Sequence, residues 1–469
     1  MNVRARLPIP LVTGGVALLV YVLTMAPSLT WAHWGADGGD FITAAVTGRM
    51  PHPPGFPLYL TLARFFVLLP LRDPAWRLNL LSAVMATGTV TLTALTLRRQ
   101  EKSPWIVLSA ALMLAFAPLF WSQALITEVY TTAAFFAALA NYELRITNRE
   151  SRIANRRWLL SGIVCGLGMA VHPTLLLLLP LWLTYLFVDG GRRPEHTSRI
   201  TYYALRFTLY GLGAIIGLLP YAFLPFLGRW PQPWGDLRTF AGWWDVVTAR
   251  LYQGYAFGLP LADWPARLAA WAALLARQFT PVGAALLLLG GWLMWRRQRW
   301  EVVGLAVVGG LISLFAIVYA TPDSLVYLLP LLPLFVPLLG VGLRGLVDKG
   351  LPAWATLVLP LILLAWNWQA MDLHRDDEAV LWYNHVLAAT PADAVLVTTQ
   401  GDPYTFALWY AQEAMGLRED VLVIDGNLWW QESYRHFLSV QTGREVAMPE
   451  DYAARRPLCR IVEEGVACP

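Results

Sequence analysis

The chain has 469 residues, a formal net charge of +4 and only 14% charged residues, while 57% of its residues are hydrophobic. Soluble domains have about 45–50% apolar and about 25% charged residues, so this composition excludes an ordinary soluble protein. The small net charge, with its basic residues in short loops, also argues against a nucleic-acid-binding protein. The mean hydropathy of +0.50 instead predicts an integral membrane protein.

Apolar segments that could cross a bilayer recur along the chain. A span needs about 20 mainly apolar residues, and about eleven segments approach this pattern. The first is interpreted as an uncleaved helix rather than as a signal peptide, and the piece 58–70 is too short to span alone. The sequence therefore predicts an all-α, multi-pass bundle over 1–369, embedded in a lipid bilayer. Its spans lie at 9–28, 79–97, 104–122, 129–146, 158–171, 174–188, 203–227, 280–295, 302–320, 325–343 and 352–369.

Basic residues predict which helix ends face the cytoplasm, because cytoplasmic loops carry an excess of Lys and Arg. They concentrate in every second connection of the predicted bundle. The other connections, which include the loops 30–78 and 228–279, are then predicted on the outer face together with the tail 370–469. The basic residues are Arg4, Arg6, Arg98, Arg99, Lys102, Arg145, Arg149, Arg152, Arg156, Arg157, Arg192, Arg193, Arg199, Arg296, Arg297, Arg299, Arg344 and Lys349.

The tail 370–469 differs in composition and is predicted to be a small extracytoplasmic α/β domain. Helical patterns at 377–389 and 403–416 alternate with strand patterns at 394–399 and 420–425. The tail has no Gly-rich phosphate-binding motif, so nucleotide binding is not predicted. Two cysteines near its end, Cys459 and Cys468, could pair in an oxidising compartment.

The first outer loop contains two carboxylates separated by two glycines, Asp37 and Asp40. Glycines let the backbone turn tightly and approach a ligand, and paired carboxylates could act as a general base or hold a cation. The alternative interpretation is a solvated loop with two ordinary aspartates. The same two interpretations apply to His52, which lies in the proline-rich turn that follows.

Further ionisable residues lie at the outer ends of predicted helices: Glu128, His172 and Asp323. Such residues are costly at membrane depth and therefore suggest a functional site, although each alone could be a polar helix end at the headgroup level.

Arg64 and Arg77 lie on the outer side, against the positive-inside trend. The Arg side chain suits a phosphate, and the alternative is a snorkelling side chain at a helix end.

Several of these segments resemble the transmembrane-protein-260-like family, which is similar to the GT-C glycosyltransferases. The specific match is PHPPGFPLY, and weaker matches cover most of the chain: DGGDF, WRLNLLSA, ITEVY, GLGMAVHPT, TPDSLVYLLP and GDPYTFALWYAQEAMGL. The resemblance implies a GT-C-like bundle with its active site on the non-cytoplasmic face. Since the animal member is a protein O-mannosyltransferase, it also implies transfer of a sugar, mannose in that case, from a polyprenyl-phosphate donor to a hydroxyl acceptor on protein or glycan. Inversion at the anomeric carbon is expected by analogy.

The resemblance also implies roles for single residues. In GT-C enzymes an acidic residue of the first outer loop is the usual catalytic base, and this role falls on Asp37 or Asp40. Family members often have Glu at the position of Asp40. The Asp side chain would reach less far toward the acceptor, so we favour Asp37 as the base and leave the choice open. The resemblance implies that the donor and substrate site is lined by His52, Glu128, His172 and Asp323. In the expected displacement, Arg64 or another basic group stabilises the charge of the leaving phosphate.

No compact set of ligands predicts a metal site or a cofactor, but Asp37 and Asp40 could bind a divalent ion, as in some relatives.

Two other functions stay open. One is a transporter or flippase of a lipid-linked sugar, although no internal helix repeat is evident; the other is a non-catalytic protein that binds a lipid or a partner through its tail. The predicted location is the bacterial inner membrane, with the active site on the periplasmic or extracellular face.

Overall fold

A computed structural model describes residues 8–149, 154–187, 198–454, 456–462 and 465–468. Five basic residues that contribute to the predicted orientation lie outside these ranges: Arg4, Arg6, Arg152, Arg192 and Arg193.

Helices dominate the first 371 residues, and many of them begin with a proline, whose fixed φ angle and missing N–H suit the first helical turn. In chain order they are α1 (Ile9–Thr24), α2 (Gly38–Thr47), α3 (Pro57–Val67), α4 (Pro74–Arg98), α5 (Pro104–Ala115), α6 (Pro118–Gln123), α7 (Tyr130–Arg149), α8 (Ala154–Val171), α9 (Leu179–Phe187), α10 (Arg199–Gly217), α11 (Leu219–Leu227), α12 (Phe240–Val247), α13 (Trp264–Gln278), α14 (Thr280–Val318), α15 (Leu332–Val347) and α16 (Val358–Met371).

Five helical stretches among the described residues are long and apolar enough to cross a membrane: Pro74–Arg98, Arg199–Leu227, Thr280–Val318, Ser324–Val347 and Ala353–Met371. The predicted total of about eleven spans is therefore not confirmed and stays a prediction. Shorter apolar helices occupy several of the other predicted spans, including α1 and α5. The predicted spans 280–295 and 302–320 belong to α14, in which Gln298 alone departs from helical geometry.

Ion pairs bring basic connections together at one end of this bundle. Arg344, near the end of α15, pairs with Glu101, which follows α4. Arg145, in the last turns of α7, pairs with Glu301, just beyond the kink of α14. The connections at the opposite ends of these helices contain the acidic and histidine residues singled out from the sequence.

Four of the described helices, α2, α3, α12 and α13, lie within segments predicted as outer loops, so that interpretation was incomplete. The Asp and Gly residues that begin α2 favour turns in an isolated sequence. Here the helix packs against α3, α4 and a helix of the C-terminal segment, because its apolar side, including Phe41 and Ile42, is buried. Tertiary contacts therefore outweigh the local preference for a loop.

The C-terminal segment, 372–468, forms a small sheet with helices, as its sequence pattern predicts. It contains α17 (Glu378–Ala389), α18 (Asp402–Trp409) and α19 (Glu432–Thr442). The strands β1 (Val395–Thr398), β2 (Leu422–Asp425), β3 (Leu458–Val462) and β4 (Gly465–Ala467) lie in the order β2-β1-β3-β4. β1 is parallel to both neighbours, and β3 and β4 are antiparallel. A disulfide joins Cys459 to Cys468, while the domain boundary at 369/370 stays a prediction.

The C-terminal segment packs directly on the first outer loop. A Cβ atom built on Gly39 of α2 would lie 2.3 Å from the carbonyl oxygen of Phe406 in α18. Only glycine allows this approach of the two helices. Beside it, Arg49 pairs with Glu413 of the π-helical turn that follows α18. The glycine pair of the DGGDF string therefore has a packing role, in addition to any role near a ligand.

Alanine substitutions at the two adjacent glycines test this packing. We expect Gly39→Ala to reduce the free energy of unfolding by about 1–3 kcal/mol, because the added methyl group forces α2 and α18 apart. Gly38→Ala is the matched control, since its Cβ atom would meet its nearest neighbour at 3.4 Å, and we expect a change within about 0.5 kcal/mol. Thermal unfolding in detergent and proteolysis of the C-terminal segment measure both effects. Equal stability of the two variants would contradict the close approach.

Candidate active site

A cavity of about 640 Å³ lies where the first outer loop meets the helix ends and the C-terminal segment. Its volume is in the range of ligand pockets, about 300–1,000 Å³. Residues from distant parts of the chain line it, among them Asp37, His52, His172, Asp323 and Asp402. The structure therefore brings four of the seven site residues predicted from the sequence to one cavity.

His52 lies between the two carboxylates of the first outer loop. Its Nδ1 is 2.8 Å from Oδ2 of Asp40, and its backbone N–H donates to the same oxygen at 2.7 Å. Its Nε2 lies 3.6 Å from Oδ2 of Asp37. Asp40 is buried and Asp37 lines the cavity, so the two aspartates occupy different environments on opposite sides of one imidazole ring.

Aromatic rings fix the orientation of this imidazole. Phe41 and Phe56 lie against it with ring centroids at 5.2 Å, and Phe406 of the C-terminal segment is stacked parallel to it at 6.4 Å. Trp234 donates from Nε1 to Oδ1 of Asp40 at 3.4 Å. The ring therefore has little freedom to rotate away from the two carboxylates, because it is packed on several sides.

The charges of the two aspartates and the histidine shift the pKa values of His52 and Asp37. Burial lowers the pKa of His52, but the carboxylates of Asp37 and Asp40 outweigh burial and raise it to about 9. Burial raises the pKa of Asp37 to about 6, against the opposing effect of His52. At neutral pH, a protonated His52 therefore faces an Asp37 carboxylate that is largely ionised and whose pKa suits proton transfer.

The other predicted site residues lie close by. His172 lines the cavity, contacts the Tyr327 ring at 5.6 Å and lies 2.7 Å from the hydroxyl of Thr174 through Nδ1. Burial lowers the pKa of His172 to about 3, so its ring is neutral. Asp323 lines the cavity from the turn after α14.

Glu128 is buried behind the cavity wall rather than on it. Its Oε2 atom has no hydrogen-bond partner among the described residues, and burial raises the pKa of the carboxyl well above its usual value. The backbone N–H groups of Val129 and Asp37 hydrogen-bond to this carboxyl. Glu128 is thus placed to hold the backbone at Asp37, while its predicted contact with substrate stays a prediction.

Arg64 does not line the cavity. Its guanidinium donates to the backbone carbonyl of Leu227 and, at 2.9 Å, to that of Arg49. Arg77 similarly donates to the carbonyl of Val67, the last residue of α3, and to the carbonyls of Leu71 and Arg72, which follow it. Both arginines therefore join neighbouring segments of the chain, and the predicted contact of Arg64 with a lipid phosphate stays a prediction.

Several cavity residues were not predicted from the sequence. Asp402 begins α18 and faces the cavity within electrostatic range of His52. Its string, GDPY, belongs to the family resemblance, which was the one available signal. Trp34 of the first outer loop and five tyrosines also line the cavity: Tyr130, Tyr252, Tyr255, Tyr319 and Tyr327. Tyrosines at helix ends are common in membrane proteins, so their positions alone did not identify them.

In the part of the chain that the structure describes, no group of three or more His, Cys, Asp and Glu residues could hold a metal ion. Asp37 and Asp40 contact opposite nitrogen atoms of His52, so an ion shared by both would have to displace the imidazole. The divalent ion kept open for these residues stays a prediction.

Comparisons with known proteins agree with the motifs found in the sequence. Residues 37–195 match the Protein O-mannosyl-transferase TMEM260 N-terminal domain, and residues 382–452 match TMEM260-associated domain 2. The chain is 25% identical over 451 residues to protein O-mannosyl-transferase TMEM260 of Mus musculus, covering 88% of this chain and 62% of the relative. It is 27% identical over 296 residues to the Dictyostelium discoideum protein of the same name, covering 58% of this chain and 34% of the relative. It thus spans less than two thirds of both relatives.

The fold is similar to that of ArnT from Cupriavidus metallidurans in its crystal structure bound to undecaprenyl phosphate. The TM-score is 0.59 at 13% sequence identity, and the match covers 89% of each chain. At this identity the likeness shows the fold alone, and the predicted GT-C-like architecture is confirmed.

The histidine pKa offers a direct test of this geometry. We expect His52 to titrate near pH 9, and Asp40→Asn to lower that pKa, because an anion that stabilises the protonated ring is removed. NMR titration of ring-labelled histidine measures both values, with His52→Gln to assign the signal and Asp377→Asn, an exposed site on the C-terminal segment, as the control. A His52 pKa that is unchanged by Asp40→Asn would contradict the arrangement.

Proposed function

We propose that this chain, which resembles the TMEM260 family over residues 37–195 and 382–452, is a membrane glycosyltransferase that transfers mannose from a polyprenyl-phosphate donor to a hydroxyl group of a protein. The observation that carries this proposal is the position of Asp37, which lines a large cavity beside a histidine held by a second aspartate. A carboxylate in this position can accept the proton of an attacking hydroxyl group.

An apolar groove next to the cavity supports a lipid-linked donor. It has a volume of about 420 Å³ and shares Pro173 with the cavity. Ile215 of α10 and Leu219 of α11 line it, and both belong to a helical stretch apolar enough to cross a membrane. A polyprenyl chain can lie in this groove with its phosphate at the cavity. The ArnT structure of similar fold contains undecaprenyl phosphate.

The cavity offers hydroxyl groups rather than basic side chains to the donor. No Lys or Arg belongs to its lining among the described residues. Tyr130 and Tyr327 line it on the side of His172, close to the groove. Tyrosine hydroxyls can donate to phosphate oxygens or to sugar hydroxyls. Together with the protonated His52, they are the groups available to stabilise the charge of the departing phosphate.

The proposed reaction is a single displacement. Asp37 accepts the proton of the acceptor hydroxyl as its oxygen bonds to the anomeric carbon of the sugar. The bond between that carbon and the phosphate oxygen breaks, and its electron pair leaves with polyprenyl phosphate. The configuration at the anomeric carbon is thereby inverted. The proton on Asp37 passes to water after the products leave, which restores the carboxylate.

His52 and Asp40 have supporting roles in this mechanism. The protonated ring of His52 favours the ionised form of Asp37, and Asp40 holds that ring through its Nδ1 atom. Asp40 is buried behind the ring and does not line the cavity, so we assign it as a positioning residue. This assignment selects Asp37 as the base from the two candidates.

We place the site on the non-cytoplasmic face of the bacterial inner membrane. The basic connections meet at the other end of the bundle, as expected for the cytoplasmic side. The disulfide between Cys459 and Cys468 suits an oxidising compartment.

Substitution of the proposed base tests the function. We expect Asp37→Asn to reduce transfer by about 10²–10⁴-fold, because a general base contributes an effect of this size. Purified protein in detergent is assayed with undecaprenyl-phosphate mannose and a pool of Ser/Thr-containing peptides, and both mannosylated peptide and released undecaprenyl phosphate are measured. Asp377→Asn is the control for charge loss on the same face. Full activity of Asp37→Asn would refute the base, and tight donor binding without release by the wild type would favour a flippase.

Cysteine labelling tests the proposed face independently. In spheroplasts of a Cys165→Ser variant, we expect an impermeant maleimide to react only after reduction, because Cys459 and Cys468 are disulfide-bonded and face outward. A non-reduced sample is the control for the disulfide. Labelling that requires permeabilised membranes would place the C-terminal segment in the cytoplasm instead.

A further inference from the structure

We propose that Trp34 and Asp402 form the binding site for the acceptor polypeptide at the water-facing mouth of the cavity. This inference rests on the proposed function and deepens it, because it assigns acceptor binding to one residue from each of two distant parts of the chain. Both residues line the cavity, and both are exposed to solvent.

The cavity has two chemically different sides. On one side, Pro173 connects it to the apolar groove beside α10 and α11. On the other side, it is bordered by the first outer loop and by the start of α18 from the C-terminal segment. A lipid-linked donor has to arrive from the membrane, whereas a polypeptide arrives from water. Asp37 lines the same cavity, so the acceptor hydroxyl has to enter from the side that faces water to reach it.

The backbone holds Trp34 in an exposed position at this mouth. Its side chain is 58% exposed, although a large aromatic residue normally gains stability from burial. Trp34 and the preceding His33 both have left-handed φ angles, +69° and +56°. Such conformations cost about 1–3 kcal/mol each and persist where the surrounding structure enforces them. Gln123 donates to the carbonyl oxygen of His33 at 2.8 Å, which holds this turn in place.

Asp402 reaches the mouth because the C-terminal segment is fixed to the first outer loop. It follows Gly401, whose φ of +114° turns the chain from β1 into α18. The next residue, Pro403, accepts a hydrogen bond at 3.3 Å from the indole of Trp31. The Asp402 carboxylate thus faces the cavity from the side opposite the membrane spans, at a site that residues 1–369 alone do not complete.

The two side chains suit a polypeptide segment with a free hydroxyl group. A carboxylate accepts charge-assisted hydrogen bonds from backbone N–H or Ser and Thr hydroxyl groups, and an indole ring packs against aliphatic parts of a chain at low entropic cost. A cavity of about 640 Å³ holds a sugar and one side chain but not a folded domain. The acceptor residue therefore lies in an exposed loop or an extended segment of its protein.

Steady-state kinetics with both substrates test this assignment. With undecaprenyl-phosphate mannose and the Ser/Thr-containing peptide pool, we expect Asp402→Asn and Trp34→Ala each to raise the KM for peptide roughly tenfold or more, the size expected for one lost charge-assisted or aromatic contact. The KM for the donor should stay within about twofold, since neither residue borders the lipid groove. The controls are Asp377→Asn and Trp430→Ala. Both side chains are exposed on the C-terminal segment, and neither lines the cavity.

A third readout separates folding and function from acceptor binding. Thermal unfolding of both variants in detergent should match that of the wild type, because neither substitution removes a buried side chain. Unchanged unfolding with a raised peptide KM supports the assignment, and Asp402→Glu should restore part of the affinity. An unchanged peptide KM would overturn the assignment while leaving the proposed function intact. A wild-type protein that neither transfers nor releases would overturn the proposed function, and the inference with it.

Discussion

The hydrogen bond between Asp40 and His52 is the interaction on which the site depends. Both groups are buried, and a buried charge is tolerated only when it is paired. By accepting from both the backbone and the ring of His52, Asp40 fixes the proline-rich turn to the start of α2. The ring then presents its other nitrogen to Asp37. One buried carboxylate thereby sets the electrostatic environment of a second, which lines the cavity.

A second constraint is the packing of the C-terminal segment on this loop. Gly39 allows α18 to approach α2, and Phe406 of α18 stacks on the His52 ring. The same helix begins with Asp402 at the cavity. The helical bundle supplies the apolar groove, the first outer loop supplies the proposed base, and the C-terminal segment completes the cavity wall with Asp402. The chemistry is thus assembled from parts of the chain that are about 360 residues apart in sequence.

Much of this arrangement was predictable because membrane helices and buried strands have simple patterns. Apolar runs indicated most helices of the bundle, and alternating patterns indicated the βαβ order of the tail. The grouping of Asp37, His52, His172 and Asp323 followed from their common face. The hydrogen-bond partners of Arg64 could not be predicted, because a sequence cannot distinguish an arginine that binds phosphate from one that donates to backbone carbonyls. Helix α2 and the role of Asp402 depend on contacts between distant segments, which local patterns do not contain.

The pH dependence of peptide mannosylation tests the central claim most directly. If Asp37 is the base, kcat/KM rises with pH as its carboxyl loses a proton, with a midpoint near its pKa of about 6. His52 lowers that pKa, so His52→Asn should move the midpoint to higher pH while some activity is retained. A midpoint that stays unchanged in His52→Asn would contradict the account, because the histidine and the base would then not be coupled.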